Sequence, residues 1–360
     1  MKSIFFITTS EIPSFKANSV QSIAMANAFS RHGFKTFFLS KKNNNKIDNL
    51  NFNISVSRFY FFSGRLMDFF FSLFLIFYSK LKKANLIFSR NVYVIFFSII
   101  FNIDCILELH RPYTNKKKLS FYLLKFIFKK KKLLKIIYIS YALRRIYTNS
   151  GFLSYNMNKD IVLHDGSDYS IFFKSDLLYK KFSIGYAGSF QKGRGIEIIK
   201  KLSFFFPNIE FNIAGGFPEN ENYYKKYFQK FHNIKYAGFI KNKEINNFLR
   251  KNALLIAPYE KKVFVDKIND TSEYMSPLKI FEYMNAERAI IASNLPVLRE
   301  VLVNGKNCLL CDPEKIFTWV NAIKKLQSNY LLRKALAFNA KISIKNKYNW
   351  NLRVKSLIDH

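Results

Sequence analysis

The sequence predicts an α/β protein made of two doubly wound domains that face a cleft. Three observations support this fold class. The chain has 360 residues, which is too long for one hydrophobic core and suits two. Short apolar strands alternate with helical segments in two series, as in parallel sheets with right-handed crossovers. The alternation stops at residues 168–181, which are therefore predicted to be a linker.

The first series spans residues 1–167. Its first strand is followed by a polar loop, a helix that stops at Gly33, and a second strand. Further strands are predicted at residues 85–88, 104–109, 136–140 and 160–163. Ligands of such sheets bind beyond the carboxyl ends of the strands. His110 directly follows the strand at 104–109, so we expect its side chain to face the cleft; the alternative is a histidine that is hydrogen-bonded inside the fold.

The second series spans residues 181–345. Strands are predicted at residues 183–187, 210–214, 234–236, 254–257 and 289–292, and helices at residues 196–205, 242–251 and 277–285. Cys308 and Cys311 have CxxC spacing, but no second pair follows that would complete the four ligands of a zinc ion. We therefore expect no metal site, and three cysteines in all suit a reducing compartment.

The composition is strongly basic, with 58 Lys+Arg against 24 Asp+Glu and a net charge of +34. Such a charge suggests a polyanionic partner. However, amino acids with AT-rich codons are frequent throughout, and both halves of the chain are basic. An AT-rich genome is therefore an equally good explanation of the high lysine content. No run reaches the ~18–20 apolar residues that span a bilayer, and no secretion signal is recognisable.

One local cluster stands out at residues 116–135, where nine lysines and no acid alternate with aromatic and aliphatic residues. A basic helix with an aromatic face can lie in an anionic membrane interface. The alternative is a buried helix followed by a solvated lysine turn.

Two segments of the second series are candidates for binding an anion. Residues 188–195 form a glycine-rich loop between strand and helix, with Lys192 and Arg194 supplying charge. Ser276 and Pro277 are expected to cap a helix whose free amides and Lys279 attract an anion. Both lie at one edge of one sheet, as a nucleoside diphosphate requires. Glu282 suits the hydroxyls of a ribose. The alternative for the second segment is an ordinary capped surface helix.

Taken together, these motifs resemble glycosyltransferases of family 4, which have the GT-B fold. The resemblance rests on Gly-Ser-x-x-Lys-Gly-Arg-Gly, Ala-Gly-Gly, Ser-Pro-Leu-Lys-Ile-Phe-Glu-Tyr-Met and the Ala-Ile-Ile-Ala-Ser-Asn-Leu-Pro segment. It is strongest over 181–345, and over 1–165 it rests on the first loop, Glu-Leu-His-Arg and His-Asp-Gly. It implies sugar transfer from a nucleotide-diphosphate sugar with retention, usually without a bound metal. It also implies that a final helix within 346–360 crosses back onto the first domain.

The resemblance also assigns roles to individual residues. It implies that Lys192 holds the donor diphosphate, that Glu282 is the second glutamate of the Glu-x7-Glu motif, and that His110 contacts the transferred sugar. Tyr274 stands where the first glutamate is expected, so either Glu273 takes that catalytic role or backbone amides do. The implied donor-binding residues are Gly188, Ser189, Lys192, Arg194, Ser276, Leu278, Lys279 and Glu282.

We therefore expect a metal-independent glycosyltransferase with no cofactor. Its expected partners are a nucleotide-diphosphate sugar, a glycan or lipid-linked acceptor, and an anionic membrane surface reached through 116–135, with no nucleic acid and no obligate protein partner. The expected setting is polysaccharide or lipopolysaccharide biosynthesis in the bacterial cytoplasm, peripheral on the inner face of the cell membrane. Two alternatives are a sugar-nucleotide epimerase-like enzyme on the same fold, and a non-enzymatic basic protein that binds nucleic acid or membranes.

Overall fold

The computed structural model of the protein describes residues 2–12, 14, 16–42, 54–62, 64–152, 159–170, 182–265 and 268–359. The chain divides into two compact units. The N-terminal unit comprises Met1–Asp165 together with Trp350–His360, and the C-terminal unit comprises Gly166–Asn349. Each unit is a parallel sheet covered by helices, so the predicted fold class of two Rossmann-like domains is confirmed.

The N-terminal unit contains a seven-stranded sheet in the order β3-β2-β1-β4-β5-β6-β7. Its elements are β1 (Ser3–Ile12), α1 (Ala17–Arg31), β2 (Lys35–Lys42), β3 (Ser55–Phe59), α2 (Arg65–Leu81), β4 (Leu86–Ser89), α3 (Val92–Ile100), β5 (Asp104–Leu109), α4 (Leu119–Phe128), β6 (Leu133–Tyr138), α5 (Tyr141–Asn149), β7 (Asp160–Val162) and α12 (Trp350–Asp359). Consecutive residues of β1, from Ile4 to Ile7, are all buried, as expected for a parallel strand covered on both faces.

The C-terminal unit contains a six-stranded sheet in the order β10-β9-β8-β11-β12-β13. Its elements are β8 (Ser183–Gly188), α6 (Ile196–Phe205), β9 (Glu210–Gly215), α7 (Glu221–Phe228), β10 (Ile234–Tyr236), α8 (Asn242–Arg250), β11 (Leu254–Ala257), α9 (Leu278–Asn285), β12 (Ala289–Ser293), β13 (Leu309–Cys311), α10 (Ile316–Ser328) and α11 (Tyr330–Asn346). Tyr186 and Trp319 are among the large side chains that fill its core.

The lysine-rich segment 116–135 is not one helix. Only Leu119–Phe128 is helical, and β6 begins at Leu133. The apolar face expected to meet a membrane is largely packed inside the unit, because Phe121, Leu124 and Ile127 are buried, although Tyr122 is exposed. The structure therefore agrees with the alternative of a buried helix followed by a lysine turn. Of the predicted linker, residues 171–181 lie outside the described residues.

None of the helices in the described part of the chain is both long enough and apolar enough to cross a membrane.

Candidate active site

At the carboxyl edge of the C-terminal sheet, the backbones of β8 and β9 approach each other closely. Strand β8 ends at Gly188 and β9 ends at Gly215, and the amide of Gly216 donates to the carbonyl of Gly188 at 3.1 Å. Gly215 has a φ of 126°, and a Cβ there would collide with the Gly188 carbonyl. Only glycine fits, so the two strand ends lie close together beneath the predicted anion site.

The glycine-rich loop packs against the segment that follows β11. Gly193 and Gly195 have positive φ, and a Cβ at either would collide with a backbone carbonyl of that segment. The amide of Glu260 donates to the carbonyl of Gly193 at 3.0 Å, and that of Phe264 to the carbonyl of Lys192 at 3.1 Å. Main-chain hydrogen bonds therefore hold the loop against this segment, and the side chain of Gln191 adds a bond to the carbonyl of Val265 at 2.6 Å.

Lys279 is the central residue of this edge. It is 9% exposed, and its Nζ lies 3.9 Å from the ring centroid of Tyr186. Within the described residues, this Nζ has no hydrogen-bond acceptor. A Cβ at Gly188 would lie 2.5 Å from Nζ, so the ammonium sits directly against the end of β8. A buried cation without an oxygen partner is costly, and an anionic ligand would relieve that cost.

The same edge shifts the pKa of Lys279 and of Glu282, two ionisable groups on α9. Burial and the nearby Arg194 lower the pKa of Lys279 well below its usual value, while Glu282 opposes the shift. Burial raises the pKa of Glu282 to about 6, and here Lys279 opposes the shift. The two groups therefore share a poorly solvated environment, which strengthens any contact with a charged ligand.

The start of α9 corrects one prediction. Pro277, not Ser276, is the N-cap residue, and it makes no side-chain capping bond. The prediction was wrong by one position because Pro277 has extended backbone angles and so stands before the helix. Proline has no side-chain acceptor, so the first-turn amides at Leu278 and Lys279 remain suited to an anion.

Tyr283 is a residue that the sequence analysis missed. Its hydroxyl accepts from the amide of Ala187 at 2.7 Å and lies 3.2 Å from the carbonyl of the same residue, to which it donates. This fully buried side chain therefore joins α9 to the end of strand β8. Nothing in the motif marks Tyr283, since a tyrosine inside an apolar helix face predicts only packing.

The remaining predicted residues lie around this centre. Lys192 is exposed, with its Nζ 5.3 Å from the ring centroid of Phe264. The guanidinium of the half-buried Arg194 lies 5.8 Å from the ring centroid of Tyr259. Ser189 donates through its hydroxyl to Gln191 at 3.1 Å. Glu273, the candidate first glutamate, is exposed on the turn before Ser276. The structure thus groups Gly188, Arg194, Lys279 and Glu282 and leaves Lys192 and Glu273 at the surface.

A second cluster lies in the N-terminal unit at the end of β5. His110 is 16% exposed, and its Nε2 lies 2.5 Å from Oε1 of the buried Glu108. Gln21 of α1 donates to the same Oε1 at 2.6 Å, and Arg353 of α12 donates to it at 3.3 Å. Sequence reasoning identified His110, but Gln21 and Arg353 are brought in by tertiary contacts from distant parts of the chain.

Electrostatics fixes the state of this imidazole. Burial and the nearby Arg90 lower the pKa of His110 to about 4. Burial by itself would raise the pKa of Glu108, but Arg353 and His110 outweigh it and hold that pKa well below its usual range. An ionised carboxylate only accepts hydrogen bonds, so Nε2 of the neutral imidazole carries the proton. Nδ1 is then left as an acceptor.

Glu108, His110 and Asp165 bring three potential metal ligands within 4.8 Å of one another. Arg353 already pairs with both carboxylates, at 3.3 Å from Glu108 and 4.0 Å from Asp165. Burial also raises the pKa of Asp165 to about 7, so its carboxyl is a weak ligand near neutrality. This donor set does not fit a metal ion, because a guanidinium supplies its positive charge.

Comparison with known proteins agrees with this geometry. Residues 182–329 match the family described as glycosyl transferases group 1. No curated protein matches the sequence.

Solved structures share the fold of the whole chain. Sucrose-phosphate synthase from Thermosynechococcus elongatus has a TM-score of 0.75 at 13% identity, covering 100% of this chain and 98% of its own. Anabaena HepE in complex with UDP and glucose has a TM-score of 0.72 at 16% identity, with full coverage of both chains. WaaG, a glycosyltransferase involved in lipopolysaccharide biosynthesis, has a TM-score of 0.68 at 11% identity and covers 98% of each chain. The fold is thus that of GT-B glycosyltransferases, and the match over 182–329 indicates a glycosyltransferase of the group 1 type.

Proposed function

We propose that the protein is a retaining, metal-independent glycosyltransferase of family 4 that uses a nucleotide-diphosphate sugar as donor. The observation that carries this proposal is the buried ammonium of Lys279, which finds no oxygen partner within the described residues and lies against Gly188. A phosphate would supply the missing partner at the start of α9. Anabaena HepE, of the same fold, is described in complex with UDP and with UDP-glucose.

The donor would be held by groups at the carboxyl edge of the C-terminal sheet. Lys279 and the first-turn amides of α9 take the diphosphate, with the half-buried Arg194 as a second cation and the exposed Lys192 as a third. Glu282, when ionised, accepts hydrogen bonds from the ribose hydroxyls. The remaining contacts come from the main chain at Gly188, Ser189, Ser276 and Leu278.

This arrangement assists departure of the nucleotide. Negative charge grows on the diphosphate as the glycosidic bond breaks, and fixed cations in a poorly solvated site stabilise that charge most in the transition state. No metal ion is needed for this step. With retention, attack from the same face assisted by the departing phosphate requires no nucleophilic side chain, and Glu273 supports the donor sugar.

His110 has a distinct role in the proposal. Its Nδ1 accepts a hydrogen bond from a hydroxyl of the transferred sugar, because Glu108 keeps the proton on Nε2. Glu108 is therefore a positioning residue, comparable to the carboxylates that orient imidazoles in other enzymes.

We further propose a glycan or lipid-linked acceptor on the inner face of a bacterial cell membrane, in polysaccharide or lipopolysaccharide biosynthesis. WaaG, a protein of the same fold, is described as acting in lipopolysaccharide biosynthesis. The lysines within 116–135 would add electrostatic attraction to an anionic leaflet of about 1 kcal/mol each.

A thermal-shift panel of nucleotides and nucleotide sugars tests the donor site. A ligand at ~100 times its dissociation constant stabilises the protein by about 2.7 kcal/mol, which is readily measured. Lys279→Met should weaken nucleotide binding by roughly 10- to 100-fold, the cost of one charged hydrogen bond. It should also stabilise the free protein by about 1 kcal/mol, because a buried unpaired ammonium is replaced by a side chain of similar volume.

Lys201→Met is the matched control, since Lys201 is an exposed lysine of α6 in the same unit. Lys201→Met should change neither the nucleotide affinity nor the stability of the free protein. Nucleotide binding by Lys279→Met at wild-type affinity would contradict the proposed site. Nucleotides identified by the panel are then assayed for sugar transfer, and isomerisation of the donor without an acceptor would instead indicate an epimerase.

A further inference from the structure

The outer side of α2 has an unusual surface. Five large apolar side chains along it are between 41% and 65% exposed, namely Leu66, Phe70, Phe74, Phe77 and Leu81. They recur at intervals of three or four residues, so they form one continuous stripe, called the α2 face below. The opposite side of the helix is also apolar, and there Phe71, Leu75 and Ile76 are buried.

A helix at the surface of a water-soluble domain normally has polar residues on its outer side. In α2, the exposed positions described between Leu66 and Phe77 hold no polar side chain. Contiguous apolar surface of this kind marks an interaction site, whereas isolated exposed aromatic residues do not. The α2 face therefore needs an apolar partner.

Cations lie at the C-terminal end of the α2 face. Lys80, Lys82 and Lys83 are exposed there, and Lys80 donates to the carbonyl of Phe101, at the end of α3, at 2.7 Å. Helix α2 packs against α3, and α3 packs against α4. The three helices lead into the neighbouring strands β4, β5 and β6, so their C-terminal ends share one edge of the sheet. The end of α4 adds the lysines at 129–132.

The acidic residues nearby are already paired. Asp68 of α2 lies 3.0 Å from the ammonium of Lys41, and Asp104 lies 3.2 Å from that of Lys132. The rim beside the α2 face is therefore positively charged, and its chemistry complements an anionic surface.

Charge also decides between the two apolar partners that could cover this face. A second copy carries the same lysine rim on a chain of net charge +34, so like charges oppose its approach. A bilayer with anionic headgroups offers apolar chains for the stripe and phosphates for the rim.

We propose that the α2 face lies in the interface of an anionic membrane, with its leucine and phenylalanine side chains below the headgroups and the lysine rim at the lipid phosphates. This surface is distinct from α4 in the segment 116–135, where Phe121 and Phe128 are buried. The inference concerns the N-terminal unit alone and does not depend on the proposed transferase activity.

Vesicle flotation of the full chain tests the proposal. The probes are vesicles of phosphatidylcholine alone and vesicles of phosphatidylcholine and phosphatidylglycerol in equal amounts. The wild type should float with the anionic vesicles, less at high salt, and should bind the neutral ones weakly. Binding should fall at least tenfold in the triple variant Phe70→Gln, Phe74→Gln, Phe77→Gln.

The matched control replaces three exposed apolar residues of the C-terminal unit, in the variant Phe317→Gln, Leu331→Gln, Phe338→Gln. It should bind vesicles as the wild type does. Replacing Lys80, Lys82 and Lys83 by glutamine should weaken binding to anionic vesicles only. All of these substitutions are at exposed positions, and a thermal melt of each variant checks that it remains folded.

Wild-type vesicle binding by the α2 triple variant would overturn the proposal. So would a concentration-dependent dimer, seen by sedimentation velocity, that the same variant abolishes, because the face would then bind a second copy. Nucleotide thermal shifts are measured on the same variants. Unchanged shifts show that a loss of vesicle binding does not come from damage to the donor site.

Discussion

Lys279 shows how a single residue can link binding to pH. Its ammonium is buried beside Gly188, and burial disfavours its charged form. A bound phosphate favours the charged form again. The residue therefore acts as a cation most fully when the donor is present, and its protonation state reports occupancy of the site.

Nucleotide binding should therefore take up a proton. The lowered pKa of Lys279 rises when phosphate binds, so above the pKa of the free protein the affinity should fall as pH rises. The measurement is titration calorimetry at several pH values from about 8 upward, where Glu282, with a pKa of about 6, stays ionised, in buffers of different ionisation enthalpy. The binding heat should vary with the buffer. In Lys279→Met this variation should vanish, and a wild-type heat that is independent of buffer would refute the linkage.

His110 should remain neutral across the physiological range. Its pKa is lowered to about 4, chiefly by burial, so its imidazole resonances should show no titration between about pH 5 and 8. His110→Ala should leave nucleotide affinity unchanged and slow transfer roughly tenfold or more, since one hydrogen bond is lost. His110→Asn, which keeps a polar atom near the position of Nδ1, should recover part of the rate. An NMR midpoint near the usual value for histidine would contradict the neutral state assigned to His110.

At the scale of elements, helix α12 joins distant parts of the sequence. Arg353 donates to the carbonyls of Leu163 and His164, each at 2.9 Å, as well as to Glu108. Arg353 thereby links the segment that follows β7 to the Glu108 carboxylate on β5. A buried carboxylate that loses such a partner is left uncompensated.

Arg353→Met should therefore destabilise the N-terminal unit by about 3–5 kcal/mol, the usual cost of breaking a buried ion pair. Denaturant unfolding measures this loss. Lys355→Met, at an exposed position on the same helix, should be nearly neutral. Combining Arg353→Met with Glu108→Gln should cost less than the sum of the two single changes. Strict additivity would show that the two side chains are not coupled.

Elements with a clear pattern could be predicted from the sequence. The strands at 104–109, 234–236 and 254–257 have the predicted bounds, because each is a short run of mostly apolar residues between turns. Strand β3 was missed because Ser55–Phe59 is a short edge strand with only two apolar residues, Val56 and Phe59. The capping position of α9 was wrong by one residue. Tyr283 and Arg353 could not be assigned, since their roles depend on contacts across long sequence separations.

At the scale of the whole molecule, the two units divide the proposed chemistry. The C-terminal unit contains the groups suited to a nucleotide, and the N-terminal unit contains the His110 cluster and the α2 face. The large positive net charge favours anionic partners for both units. It does not show whether such a partner is a small ligand or a membrane surface. That distinction rests on burial, because Lys279 is enclosed and the lysines beside α2 are exposed.

Hydrogen exchange should reveal this division. With UDP or another nucleotide identified by the panel, slowed exchange should concentrate in residues 186–195 and in the first turn of α9, where backbone amides meet the phosphates. Strands β2 and β3 of the N-terminal unit serve as the internal reference and should exchange at unchanged rates. Protection confined to the N-terminal unit would place the nucleotide elsewhere.

The return of α12 to the N-terminal unit has a consequence for how the chain is made. Arg353 leaves the ribosome only after all of residues 166–349 have been synthesised, so the first unit begun is the last one finished. Until then the carboxylate of Glu108 lacks its ion pair with Arg353. The N-terminal unit therefore remains incomplete while the C-terminal unit is being synthesised. The N-terminal unit is thus completed by α12 only after the C-terminal unit has been synthesised.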